Sequence, residues 1–220
     1  MIKAHFLIHP NNSKMVAIID YGLGNPFSIE NMISRAGGTS VVTSNTETIE
    51  CASQIILPGV GSFDEGMANL QNFGLDKVLH ERVINRKVPF LGICLGMQLL
   101  SKSSEEGKLP GFGWIDSQTV RFAGQSFAEK EFRIPHMGWT DVEETIDFDL
   151  ISGVHGKPRF YFVHSYHVVC NDPADVVLEA DYGIPFTAAI HRDNIYGVQF
   201  HPEKSHKYGL QLIENFISLS

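Results

Sequence analysis

Pro89-Phe90-Leu91-Gly92-Ile93-Cys94-Leu95-Gly96-Met97-Gln98 is the stretch whose reading decides the fold. An apolar run enters a cysteine that has a glycine two residues away on each side, and a helical pattern over 96–101 follows. Gly-x-Cys-x-Gly at a strand-to-helix junction has the form of a nucleophile elbow. The turn is tight and strained, and glycines remove the side chains that would collide there. The following helix directs its first amide dipoles at the cysteine, which favours thiolate over thiol. A cysteine that only fills core volume needs none of this.

On the N-terminal side of the elbow, strands alternate with helices. Val16–Asp20 is a short continuous apolar run, as expected of a strand covered on both faces. Tyr21–Pro26 is a turn leading into a helix through Phe27, Ile29, Ile33 and Ala36, stopped by Gly37-Gly38. Thr39–Thr43 and Gln54–Leu57 read as strands, the latter closing on Pro58-Gly59-Val60-Gly61. One helix is expected through Met67, Leu70, Leu75, Val78, Leu79 and Val83, and Val88–Ile93 is the strand before the cysteine. This alternation indicates an α/β fold with a mainly parallel sheet.

The second half is richer in strands. Phe160–Val169 reads as one strand; Phe186–Ile190 and Ile195–Phe200 read as a hairpin joined by His191-Arg192-Asp193-Asn194. Antiparallel strands should therefore extend the sheet, and Lys207–Ile217 closes the chain as an amphipathic helix. With no repeat or linker in its 220 residues, the chain reads as a single domain over 15–220. Residues 1–14 make a poor signal peptide and read as a flexible extension, with Met15 a possible natural start.

Seventeen basic against 25 acidic residues give a formal charge of −8, which argues against nucleic acid or an anionic membrane as partner. No apolar run is long enough to span a bilayer. Cys51, Cys94 and Cys170 are widely separated and show neither disulfide nor metal spacing, which points to a reducing cytoplasm. Cys51 and Cys170 read as packing residues.

A thiolate that attacks an amide needs a base and a group to orient it. Gln199-Phe200-His201-Pro202-Glu203 offers both: a strand is expected to end at His201, and Pro202 turns the chain. Residues two apart on a helix do not face each other, so a His201–Glu203 contact requires a non-helical turn. An oxyanion also needs donors. The amide of Leu95 is one candidate, and the Gly59–Gly61 loop at the same sheet edge is the second. His164 and His167, three apart on the expected strand, fall on opposite faces and make a poor metal pair.

Together these segments resemble the class I glutamine amidotransferases, a triad family with a flavodoxin-like three-layer sandwich. Within it they look like the glutaminase subunits of imidazole glycerol phosphate synthase. The likeness rests on seven ordered blocks: Asp20–Asn25, Pro58–Phe63, Gly92–Leu100, Ser104–Gly107, Pro135–Trp139, Phe162–Tyr166 and Gln199–Ser205. The resemblance implies Cys94 as nucleophile, His201 as general base and Glu203 as orienting acid. It implies oxyanion donors at Val60, Gly61 and Leu95, and glutamine contacts at Gly59, Gln98, Glu106, Ser165 and Tyr166. No cofactor or metal is implied. The implied partner is a (β/α)8-barrel synthase subunit that receives ammonia, with Asn25 and Met137–Trp139 near the interface.

Pro26-Phe27, Thr140 and His206-Lys207 depart from that branch's usual residues, and the stretches Gly113–Asp116, Ser165–Cys170 and Lys204–Lys207 look more like paralogues from surface-polysaccharide gene clusters that supply ammonia for amidination of an acetamido sugar. The triad is untouched by these departures; the ammonia acceptor stays open between the two.

Overall fold

The parallel half of the sheet forms as the apolar runs require. In a computed structural model, which describes residues 14–122, 126–127, 130–131 and 133–219, β1 (Met15–Ile19), β2 (Thr39–Thr43), β3 (Gln54–Gly59) and β4 (Phe90–Cys94) all run parallel in the order β2-β1-β3-β4. Strand Ile195–Val198 adds in parallel beside β4. Beyond it lie Pro185–Arg192, Val176–Asp181, His136–Glu144 and Arg159–His164, each antiparallel to its neighbour. The nine-stranded sheet is thus half parallel and half antiparallel in its pairings.

Helices cover both faces, and the alternation of side chains along each strand divides the core in two. Val16 and Ile18 pack toward α1 (Pro26–Arg35) and α6 (His206–Ser218), while Ala17 and Ile19 pack toward α2 (Thr46–Cys51), α3 (Phe63–Asn72) and α4 (Leu75–His80). The three-layer α/β sandwich is the one expected. Among the described residues no helix is long and apolar enough to cross a membrane.

Several local expectations are corrected. The single helix through 67–83 is broken at Gly74, whose φ of +68° is left-handed, so α3 and α4 are separate. The helix after the elbow, α5 (Leu95–Gln98), is one turn long and does not continue to Ser101. The hairpin after Arg192 turns on two residues, Asp193-Asn194, with Asp193 at φ +54°. Phe160–Val169 is two strands, not one: Arg159–His164 belongs to the large sheet, and Tyr166–Cys170 pairs with Ser117–Arg121 in a small side sheet. His164 and His167 therefore sit on different strands, both buried. Cys51 is exposed and is not a core residue, whereas Cys170 packs at the margin of the core. The expected extension at residues 1–13 lies outside the described residues.

Candidate active site

β4 ends on Cys94 in a conformation few residues adopt, φ +53° and ψ −108°. Such positive φ in a residue with a side chain is strained and persists only where the surroundings enforce it. The enforcement is visible at both flanking glycines. A Cβ on Gly92 would run into the Gly96 carbonyl, and one on Gly96 into the Leu57 carbonyl of β3. The cysteine is nearly buried at 6% exposure, with its backbone level with Gly59 across the β3–β4 pairing.

His201 arrives from the neighbouring strand. That strand ends at Val198, three residues earlier than the sequence suggests, and a single 3-10 turn, Pro202–Lys204, follows. His201 itself is extended, φ −102° and ψ 99°, so it stands outside the turn and Glu203 can fold back to it. Its Nδ1 lies 2.8 Å from Glu203 Oε1. The backbone is pinned on both sides: His201 N–H donates to the Tyr161 carbonyl at 2.9 Å, and Ser205 Oγ donates to the His201 carbonyl at 2.6 Å.

Burial pushes the His201 imidazole down, but the neighbouring Cys94 sulfur and Glu203 outweigh it and carry the ring up to about 10. Nε2 is buried and has no hydrogen-bond partner. Cys94 and His201 are therefore electrostatic neighbours without a formed hydrogen bond, and in enzymes such bonds often tighten only when substrate is bound.

Cys94 opens into a cavity of about 400 Å³. Val60, Gly61, Leu95, Gln98, Glu106, Ser165 and Tyr166 all line it. Gly59 does not. It borders a smaller recess behind the loop, together with His201 and Glu203. The Gly59–Val60 segment therefore borders both the Cys94 cavity and the recess of the His201–Glu203 pair. Gly59 has no room for a side chain, since a Cβ would strike the Tyr21 hydroxyl. Gly61 takes φ +133°, and Val60 is 48% exposed. Glu106 also supports the framework. Its Oε2 accepts from Phe63 N–H at 2.8 Å, capping α3 where Ser62 makes no side-chain cap.

A match to the family model described as glutamine amidotransferase class-I spans residues 17–219. The chain belongs to this family. The amidotransferase is 52% identical over 203 residues, 92% of this chain and 98% of the relative, to imidazole glycerol phosphate synthase subunit HisH 2 of Methanococcus maripaludis. It is 48% identical, over 93% of this chain and all of the relative, to the Pseudomonas aeruginosa protein of the same name. Solved structures share its fold at low identity. PurLQS from Thermotoga maritima superposes with a TM-score of 0.70 at 16% identity over 93% of this chain and 97% of that one. A glutamine amidotransferase from the same organism gives 0.62 at 18% over 88% and 77%.

The site of the amidotransferase also holds residues whose part in it the sequence does not announce. His164 and Pro135 line the cavity, and Gln199 donates from Nε2 to Cys94 Sγ at 3.6 Å. Gln199 opens the last of the seven blocks, but a strand residue two before a histidine carries no chemical signal of its own.

Proposed function

We propose that this chain is the glutaminase subunit of imidazole glycerol phosphate synthase, hydrolysing glutamine at Cys94 and passing ammonia to a (β/α)8-barrel synthase subunit in histidine biosynthesis. The observation that carries the reading is the pairing of His201 Nδ1 with Glu203 Oε1 at 2.8 Å beside the elbow cysteine, where the Cys94 sulfur and the Glu203 carboxylate together push the imidazole up to about 10. In the proposed mechanism Cys94 reacts as its thiolate. It attacks the carboxamide carbon of glutamine, and the C=O electron pair moves onto oxygen, where this reading assigns the Leu95 amide and the Val60–Gly61 loop, both at the cavity wall, as donors. Collapse expels the amide nitrogen, which takes the His201 proton and leaves as ammonia, giving a thioester on Cys94. Water, deprotonated by the now neutral His201, attacks the thioester. Glutamate departs and thiolate and imidazolium are restored.

Glutamine fits the cavity by its donors and acceptors: Glu106 suits the α-ammonium, and Gln98, Ser165 and Tyr166 surround the rest. The partner follows from ammonia's chemistry, since in neutral water most of it becomes ammonium and loses the lone pair it needs. A sealed route to the acceptor avoids that loss. The relatives' names supply the acceptor enzyme. Cys94-dependent glutamate release, measured with the barrel subunit and its acceptor present, tests the reading; its absence would leave only a scaffold role.

A second acceptor, an acetamido sugar, is favoured by the stretches Gly113–Asp116, Ser165–Cys170 and Lys204–Lys207. In the last of these, exposed His206 stacks on Trp139 at 5.3 Å, next to exposed Met137, so the variation lies at the surface where this reading puts the partner. Growth of a deletion strain without histidine, where no other copy exists, separates the two.

A further inference from the structure

The sulfur of Cys94 has a neighbour that the triad does not account for. Gln199 is fully buried, with its amide 3.6 Å from Sγ. Nitrogen and oxygen of such an amide have the same shape, so the partners decide which one faces the sulfur. The backbone carbonyl of Tyr166 can only accept. His164 Nδ1 stands 2.8 Å from it and Gln98 nitrogen 3.1 Å, which fills both lone pairs. The Gln98 atom facing Tyr166 must therefore be Nε2. That same nitrogen lies 3.0 Å from Gln199, so the Gln199 atom there must be the acceptor, Oε1. Nε2 of Gln199 is left pointing at the sulfur. Reversing it would set two NH₂ groups against each other and a carbonyl oxygen against a thiolate.

We infer that Gln199 is a further catalytic residue, whose amide N–H holds and stabilises the Cys94 thiolate. The inference rests on the glutaminase reading of Cys94. Such a donor favours sulfur when it carries charge, before attack and again as the leaving group of the thioester. Gln98, with both amide hydrogens used internally, is the positioning residue that orients Gln199 and keeps only its oxygen free for substrate.

The other branch of the network is consistent with the same polarity. A neutral His164 that donates from Nδ1 must accept at Nε2. His136 then donates from Nδ1 at 3.0 Å and accepts from Thr140 Oγ at 2.9 Å through Nε2. Burial keeps both rings neutral, pushing His164 down to about 3 and His136 to about 4. The titratable groups that face the sulfur itself are His201 and, more remotely, Tyr21, with Glu203 acting through His201 and Glu106 across the cavity.

Gln199→Leu removes the donor, and Gln199→Glu keeps the shape while placing oxygen at the sulfur. Each is assayed as the purified full chain by iodoacetamide alkylation at pH 7, resolved by peptide mapping, and by glutaminase turnover with the partner. Exposed Cys51 serves as the internal control. Loss of a hydrogen bond to a charged group predicts alkylation of Cys94 and kcat each falling about 10- to 100-fold, with Cys51 unchanged and KM moved less. Folded Gln199→Leu with Cys94 alkylation and kcat within about twofold of wild type overturns the inference. If that variant fails to fold, Gln199→Glu decides on the same criterion. Nitrogen-15 shifts offer an independent check: both His136 and His164 should carry the proton on Nδ1, and an Nε2–H His164 would overturn the orientation of Gln199. If wild type releases no glutamate, the functional reading fails, while the alkylation contrast still judges the role of Gln199.

Discussion

Replacing Glu203 with glutamine keeps an acceptor for the His201 Nδ1–H at nearly the same place but removes its negative charge. In the wild type the imidazolium survives up to about 10 because Cys94 and Glu203 together outweigh burial. A hydrogen bond to a charged partner contributes about 1.5–3 kcal/mol, and each pKa unit is about 1.4 kcal/mol, so losing the charge should lower the ring by about one to two units. In the proposed mechanism the working form is the protonated one, since there His201 hands its proton to departing ammonia. Activity must therefore fall on the alkaline side as that proton is lost. The alkaline limb of kcat, measured with the barrel subunit and acceptor present, should move down by about one to two pH units. Near pH 7 the ring stays mostly protonated, so the loss there should be less than about tenfold. His201→Ala, which removes the donor itself, should cost several orders of magnitude, as in triads that act as a unit. An alkaline limb that does not move, or a Glu203→Gln loss at pH 7 as deep as that of His201→Ala, would refute the assignment of Glu203 to orientation and charge.

The same raised imidazole links stability to pH. A proton held to about 10 in the folded chain but released near 6.5 when unfolded stabilises fully below 6.5 and is lost by about 10. Urea unfolding should show wild-type stability declining across that window more steeply than His201→Ala, and parallel curves would count against it. Cys94→Gly tests the elbow: relief of positive-φ strain, about 1–2 kcal/mol, should cancel the usual glycine penalty of about 0.5–1 kcal/mol relative to Cys94→Ala. A glycine variant more than about 1 kcal/mol less stable than the alanine variant would mean the turn is unstrained. Gly24→Ala places a side chain at φ +87° with its Cβ 3.1 Å from Gly59 Cα. It should cost about 1–2 kcal/mol in thermal unfolding and reduce glutaminase activity by displacing the oxyanion loop; unchanged activity would separate the two loops.

How much of this was legible depends on whether the signal was local. The parallel strands β1, β3 and β4 are buried on both faces and read as nearly unbroken apolar runs, and the elbow glycines announce a turn whose collisions are now visible at Leu57 and Gly96. Strand His136–Glu144 alternates in burial but was illegible as a strand, because its inward positions are His136, Gly138, Thr140 and Val142, of which only Val142 is strongly apolar. The run through Phe160–Val169 misled in the opposite way. Both strands are apolar, so nothing marks Ser165 as the point where the chain leaves one sheet for another. That crossing is what brings the Tyr166 carbonyl beside Gln98 and His164. Residues 98, 166 and 199 share no period of 2 or 3.6, and a hydrogen-bonded amide chain among them leaves no pattern in composition. A buried glutamine two residues before the histidine therefore looks like a misplaced polar residue until the distances are known. Once they are, its orientation is dictated by a single carbonyl that can only accept.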